Sequence, residues 1–348
     1  MSYNTQSFNE FVDNVERTVI QQLMDAKPDM ARSLFTSVPW NEGDSEKVTF
    51  NSIALSGFAP RVDENADYSV VNPSKGNELS KTQQQYGDKL EITRRMKKFN
   101  TRYAEAKMKA RSAKIIDRLM NELDLELTIQ GFIEADASTV QFNGQNFTSN
   151  IETSDSQPVA DTAHSYGGIT FSNVLGDNAH GSGAALSVLN LAAAEEQMSE
   201  NTPDDFGTYL SPSPDTIVIH DNPYMVQKAH QMFGSSLSPE TSNNAVNYYG
   251  GPGQYQVVAL KYGNRSPLGA VIPISNAAHT TYRWMIKDSA MTEEAWQLMM
   301  AEDPTTEQQF VNEDNLLVKI LATQFAAFAI VQPQGTMYSL STTKPTLT

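Results

Sequence analysis

The chain has 348 residues, 25 Lys and Arg against 41 Asp and Glu, a formal charge of −16, and no cysteine. That length suggests about two packed units of ~100–200 residues each. Without cysteine there is no disulfide stapling, no thiolate zinc site and no thiol nucleophile, and the acidic excess disfavours overall binding to nucleic acid or anionic membranes.

Hydrophobic residues make up 39% of the chain, somewhat below the ~45–50% of an average globular protein, which hints that some segments lack cores of their own. Met1 to Glu10 carries no basic-then-apolar signal pattern. No uncharged apolar run approaches the about 18–20 residues that span a bilayer; the best candidate, Ile320 to Val331, is short and broken by Thr323 and Gln324. The sequence reads as a soluble protein made in the cytosol.

Phe8, Phe11, Val12, Val15, Val19 and Leu23 fall at helical spacing and predict a short amphipathic helix ending before Pro28. A lone helix of that length is marginal in water and needs a docking surface. Two strand-like runs follow, Lys47 to Phe58 and Asp88 to Phe99. In the second, Leu90, Ile92 and Met96 alternate with polar residues, a period of two. The polar stretch between them, Arg61 to Gly87, makes this pair read as a long two-stranded arm with a ragged tip. An isolated hairpin is marginal by itself, so the arm is expected to lie on something else.

Thr101 to Ala135 has no proline and one late glycine, Gly131, and predicts a long helix. Met108, Ile115, Leu119, Leu123 and Leu127 give it an apolar stripe. Lys107, Arg111, Lys114 and Arg118 make a second stripe that is wholly basic. Residues 90–120 hold ten Lys or Arg and three Asp or Glu, a net +7, which leaves −23 for the rest of the chain. The charge is segregated.

Residues 136–183 are rich in Asn, Ser, Thr and Gly and read as turns and short strands. Ala184 to Met198 returns to helix. Thr216 to His220 is a buried-type strand, and Asn222–Pro223 offers an N-cap with proline at the first helical position, opening a helix to about Phe233. Tyr255 to Tyr262, Leu268 to Ile274 and Thr280 to Lys287 read as further strands, 288–315 as acidic loop, and Leu316 to Val331 as an apolar segment of ambiguous period. Helices and strands without regular alternation indicate an α+β fold.

The chemistry-bearing residues do not assemble into a motif. His164, His180, His220, His230 and His279 are scattered, with no HExxH frame, no His–Asp pair at useful spacing and no zinc-type cluster. His220–Asp221 closes a strand before a capped helix and reads as structural. Gly181–Ser182–Gly183 lacks the GxSxG frame, and Gly250–Gly251–Pro252–Gly253 lacks the Lys-Ser/Thr of a phosphate cradle. Glu195, Glu196, Asp204, Asp205, Glu293 and Glu294 are explained by solvated acidic faces. No catalytic, cofactor-binding or metal-ligating residue is named, and the chain is expected not to be an enzyme. The basic stripe leaves two readings open: a solvated helix face, or a surface facing phosphate without base readout. Sparse aromatics beside it, Phe99 and Tyr103, argue against a sequence-reading or single-strand module.

The order of parts resembles the tailed-bacteriophage major capsid proteins of the Hong Kong 97-type fold. The segments carrying the resemblance are Lys89-Leu-Glu-Ile-Thr-Arg-Arg entering the long helix, Leu189-Asn-Leu-Ala-Ala-Ala-Glu-Glu-Gln-Met, Pro214-Asp-Thr-Ile-Val-Ile-His with its following helix, and Ile320-Leu-Ala-Thr-Gln-Phe-Ala-Ala-Phe-Ala-Ile-Val. The likeness covers most of the chain and rests on architecture rather than a sharp motif. It implies an N-terminal arm over 1–45 and an extended loop over 46–100. A peripheral domain over 101–180 would carry a spine helix at 101–135, followed by an axial domain over 181–315 and a return segment and tail over 316–348. It further implies hexamers and pentamers of this chain closing an icosahedral shell, with portal, scaffolding and decoration proteins as partners. The shell would be a virion head, assembled in the host cytoplasm around double-stranded DNA. Arg102, Lys107, Arg111, Lys114 and Arg118 would then face the packaged DNA, with no cofactor and no membrane involved.

Two features depart from parts of that family. The arm begins almost at Met1, where some members carry a cleavable scaffolding region, so the expectation is either a separate scaffolding protein or a processed form, with the initiating Met1 arguing against processing. Lys75 and Lys81 sit at the expected arm tip, but no acid catalyst or partner asparagine for a cross-link can be named. The rival readings are an encapsulin-like compartment that loads cargo proteins instead of a genome, a soluble enzyme with an unrecognised site, and a surface adhesin.

Overall fold

The computed structural model describes residues 30–41, 45–53, 75–93, 123–133, 135, 141–142, 145–146, 152–176, 185–204, 207, 209–234, 247–250, 254–260, 282–312, 317–341, 344–345 and 347. In chain order, a 3-10 turn, Met30–Leu34, leads into β1 (Thr36–Pro39). β2 (Lys47–Ile53) pairs antiparallel with β3 (Lys75–Thr82), and the chain passes through Gln83 into β4 (Gln84–Thr93). Residues 123–128 are helical and run into a π-helical turn, Ile129–Ile133. Two small strand pairs follow, β5 (Gln141–Phe142) with β6 (Gln145–Asn146), and β7 (His164–Tyr166) with β8 (Ile169–Phe171). Then come α1 (Val188–Asn201), β9 (Thr216–His220), α2 (Pro223–Gly234), β10 (Gln256–Leu260), β11 (Trp284–Lys287), α3 (Ser289–Thr292), β12 (Trp296–Asn312), β13 (Leu317–Ile330) and β14 (Thr336–Ser339). The fold is α+β.

One four-stranded sheet has the order β10-β9-β11-β14, with β10 parallel to β9 and the other pairs antiparallel. All five residues of β9 are buried, because both faces of this sheet are covered and its strands can be apolar throughout. The strand period of two divides them. Ile217 and Ile219 of β9, with Trp284 and Ile286 of β11, face Leu191, Ala194 and Met198 of α1 and Met225, Ala229 and Met232 of α2. Val218 and Met285 face the opposite way, toward Leu123, Leu127 and Phe132 of the helical segment and Trp296 and Leu298 of β12. Both flanking helices start on side-chain caps: Ser187 Oγ accepts from the Asn190 N–H at 3.2 Å, and Asn222 Oδ1 accepts from the Tyr224 N–H at 3.0 Å.

The second four-stranded sheet has the order β1-β12-β13-β4, with β1 parallel to β12. Here the structure corrects three expectations. Residues 288–315 are not an acidic loop: α3 and the 17-residue strand β12 occupy Ser289 to Asn312. Pro304, which cannot donate to a ladder, falls in the register shift between Glu302 and Thr305, where an irregular ladder tolerates it. The polar stretch 61–87 is not loop throughout, since β3 and the start of β4 lie within it. Nor is the strand near 88–99 the return strand of the arm; β2 is closed by β3, and β4 pairs with β13 instead. The expected strand at Leu268 to Ile274, the opening helix before Pro28 and the long helix before residue 123 lie outside the described residues.

The helical segment 123–133 lies between the two sheets and is tied to both. Asp124 pairs with Arg32, and Glu126 accepts from the Tyr86 hydroxyl and from Gln130 Nε2, the latter at 2.9 Å. The Tyr338 hydroxyl donates to the Gly131 carbonyl at 2.8 Å. Between β13 and β14 the chain turns at Gly335, whose φ of +79° suits glycine. A Cβ there would stand 2.9 Å from Met291 Cβ.

Candidate assembly elements

The hairpin of β2 and β3 crosses the face of the second sheet. Alternation puts Val48 and Phe50 inward, and both are buried against Met299 of β12 and Ala327, Ala329 and Val331 of β13 and its end, with Val38, Trp40 and Leu79 around them. Gln297 Nε2 donates to the Asn51 carbonyl at 3.1 Å, while Thr49 and Ser80 share a hydroxyl hydrogen bond at 3.0 Å, Thr49 on the exposed face. The base of the hairpin therefore has a docking surface on its own subunit. For its base, the surface that the arm is expected to lie on is the second sheet of the same subunit. Lys81 of β3 is buried at this contact, and burial lowers its pKa to about 8 against the opposing charge of Glu152.

β12, β13 and β4 form a three-stranded antiparallel ribbon. β13 is flanked on both sides, from Leu317 opposite Thr93 to Ala326 opposite Gln84 on one edge and by β12 on the other. β1 covers β12 only at Gln297 to Met300. Past Met300, the outer edge of β12 has no partner strand among the described residues, and neither does the outer edge of β4. Seventeen residues of strand extend about 55 Å, slightly more than the about 50 Å diameter of a compact sphere of this chain length. Register shifts at Met300/Glu302, Glu302/Thr305 and Phe310/Asn312 interrupt the ladder, and such irregularities bend and twist a ribbon.

The proposed DNA-facing residues Arg102, Lys107, Arg111, Lys114 and Arg118 all lie outside the described residues, as do His180, His279, Asp205 and the Gly181–Gly183 and Gly251–Gly253 segments. The side chain of Lys75 does too. His220 is fully buried beside the Phe132 ring, with centroids 4.7 Å apart, in keeping with a structural role. His230 is exposed.

One His–Asp pair does form, and spacing did not suggest it. His164 Nδ1 lies 2.9 Å from Asp155 Oδ2. Asp155 also accepts from the Thr153 hydroxyl and from the backbone N–H groups of Gln157 and Ser165. Burial opposes its ionisation, but the His164 and Thr153 bonds outweigh that and hold its pKa at about 2. With His164 fully buried and its other nitrogen 3.3 Å from the Val159 carbonyl, the pair locks a turn and does not open on a substrate. Glu195 also departs from its expected solvated role: it is half-buried and accepts from the phenols of Tyr249 and Tyr255. The one signal that could have found this is the density of tyrosine at 248, 249 and 255. Among the described residues, no three His, Asp or Glu side chains gather to hold a metal.

No family model matches the chain, and no curated protein matches it. Among solved structures it is similar to the virus-like particle from Pyrococcus furiosus, at 10% identity over 94% of this chain and 97% of that one, with a TM-score of 0.46. It is similar to the capsid of cyanophage P-SCSP1u, at 14% identity over 88% and 85% of the two chains, with a TM-score of 0.46. It is also similar to the mature capsid of bacteriophage PhiM1, at 12% identity over 90% and 87%, with a TM-score of 0.47. Two of these three structures are phage capsids and the third is a virus-like particle. TM-scores below 0.5 leave the weight of any functional reading on the chain's own geometry.

Proposed function

We propose that the chain is the subunit of a closed protein shell, the major head protein of a tailed phage with double-stranded DNA, assembling as hexamers and pentamers. The observation that carries this reading is the β12–β13–β4 ribbon, a long sheet with two edges that no described strand of its own subunit pairs. A strand edge of this length that stays open is a template for pairing with another chain, and a symmetric assembly supplies the same neighbour to every copy. With no cysteine in the chain, cohesion must come from area buried between subunits. In this reading the arm covers 1–45, the extended loop 46–100, the peripheral domain 101–180, the axial domain 181–315 and the return segment 316–348. The chain has a structural role and catalyses no reaction.

The test is sedimentation velocity and electron microscopy of the expressed full chain. Closed particles of megadalton mass support the reading, and a solitary globular monomer overturns it. Nuclease-protected double-stranded DNA inside the particles separates a phage head from an encapsulin-like compartment, which would hold protein cargo. The basic stripe is read separately: reversing the charges of Lys107, Arg111, Lys114 and Arg118 lowers the stability of DNA-filled particles more than it lowers empty-shell assembly. Equal loss of both would make the stripe structural.

A further inference from the structure

Between α1, the Pro212–Pro214 stretch that leads into β9, and the residues on the N-terminal side of β10 lies a cleft of about 470 Å³. Among the described residues no Lys or Arg lines it; three tyrosines and two glutamates do. Glu195 Oε2 accepts from the Tyr249 hydroxyl at 2.9 Å and Oε1 from the Tyr255 hydroxyl at 2.5 Å. Two phenols thus orient the carboxylate. Burial first, and Glu195 second, push both phenol pKa values upward, so both remain neutral donors.

The rings are arranged around that charge. Tyr249 and Tyr255 have centroids 6.1 Å apart, and Tyr248 stands edge-on to Tyr249 at 5.1 Å. Tyr248 is 74% exposed, an aromatic side chain at the mouth of the cleft that the fold does not cover. Glu196 and Ser199, from the exposed side of α1, line the same cleft.

Aromatic faces attract cations through the ring quadrupole, and a carboxylate held by its own donors is a preorganised counter-charge. The volume lies within the ~300–1,000 Å³ range of organic-ligand pockets, well above what one metal ion fills. An anion placed here would meet two carboxylates. We propose that this cleft is a cation-acceptor site for an alkylammonium or guanidinium group, seated against Tyr248 and Tyr249 and drawn by Glu195 and Glu196. Two sources carry that group: a Lys or Arg side chain of a second copy of the chain, or a free polyamine. The site stands on its own geometry and does not rest on the shell reading.

Saturation-transfer NMR of the purified full chain tests it, with n-butylguanidinium as probe and n-pentanol as its neutral counterpart. The expected result is saturable binding of the cation alone, weakened about tenfold in the double variant Tyr248→Ala, Glu196→Gln. Both positions are exposed, so the fold does not depend on them. Equal binding of both probes, or binding unchanged by the double variant, overturns the proposal. Sedimentation then separates the sources. If the double variant also assembles poorly and n-butylguanidinium inhibits wild-type assembly, the cation is a neighbour's side chain. If assembly is unchanged while probe binding is lost, it is a free polyamine. A wild-type chain that never assembles would sink the shell reading and leave the NMR result intact.

Discussion

The Lys287 ammonium stands 4.7 Å over the ring of Trp296. Lys287 belongs to β11 in one sheet and Trp296 opens β12 in the other, so this contact bridges the two sheets. The same ammonium donates to the Leu34 carbonyl and so ties down the 3-10 turn before β1.

Burial lowers the Lys287 pKa from 10.5 to about 8, with the charge of Asp215 opposing the shift. A lysine whose folded pKa is depressed adds stability above its unfolded pKa, and loses it as pH falls through the folded value. Between pH 8 and 10.5 the wild type should therefore gain about 3 kcal/mol relative to Lys287→Met. Denaturant unfolding of both proteins across that range checks the difference. Parallel pH profiles would show that the ammonium pays no burial penalty.

His220 should govern part of the acid limb. Its neighbours are the Phe132 ring, Leu260 opposite it on β10 and the charge of Arg283, and burial with that charge lowers its pKa to about 3. The neutral imidazole is the folded form, so stability is full above pH 6.5 and falls as pH drops toward 3, by at most about 5 kcal/mol. His220→Leu removes this term. From pH 7 to 4 the urea midpoint of the wild type should fall relative to that of the variant, and an unchanged wild-type slope in the variant refutes the assignment.

Gly335→Ala combines a left-handed backbone with a Cβ placed 2.9 Å from Met291 Cβ. The strain is expected to destabilise the fold by about 2–3 kcal/mol. Thermal unfolding of Gly335→Ala beside Gly168→Ala, where φ is +78° and a Cβ would meet nothing within 4 Å, separates the clash from the backbone cost.

Phe50→Ala empties the contact between the hairpin and β12–β13. Phe50 is 1% exposed, and truncating a buried phenylalanine costs about 3–5 kcal/mol. The variant should lose stability by that order, and limited proteolysis should cut between β2 and β3 sooner. If both readouts match the wild type, the hairpin base draws its support from another chain.

Much of the first sheet was legible before any coordinates. Thr216 to His220 reads as a strand because Ile217, Val218 and Ile219 form a short β-branched run, the pattern of a strand covered on both faces, and β9 spans those residues. Asn222 and Pro223 announce the start of α2 through the chemistry of helix ends, a local matter. The second sheet was not legible. β12 carries Glu302, Asp303, Pro304 and Glu307, and β3 reads Lys-Gly-Asn-Glu-Leu-Ser-Lys-Thr, compositions that say loop until a partner strand is present. The Glu195 cluster was hidden for a similar reason, since Tyr249 and Tyr255 lie 54 and 60 residues away from it.

Caps, periodic burial and the segregation of charge act over a few neighbouring residues, so the residue order alone settles β9, the start of α2 and the α+β character, while α1 begins at Val188 on the Ser187 cap and not at Ala184. Which strand closes the hairpin, how far the ribbon runs, and which tyrosines hold Glu195 are settled by contacts between distant segments. Their free energy appears only when the chain has folded, because hydrogen-bonded ladders and buried carboxylates need partners that no local window contains.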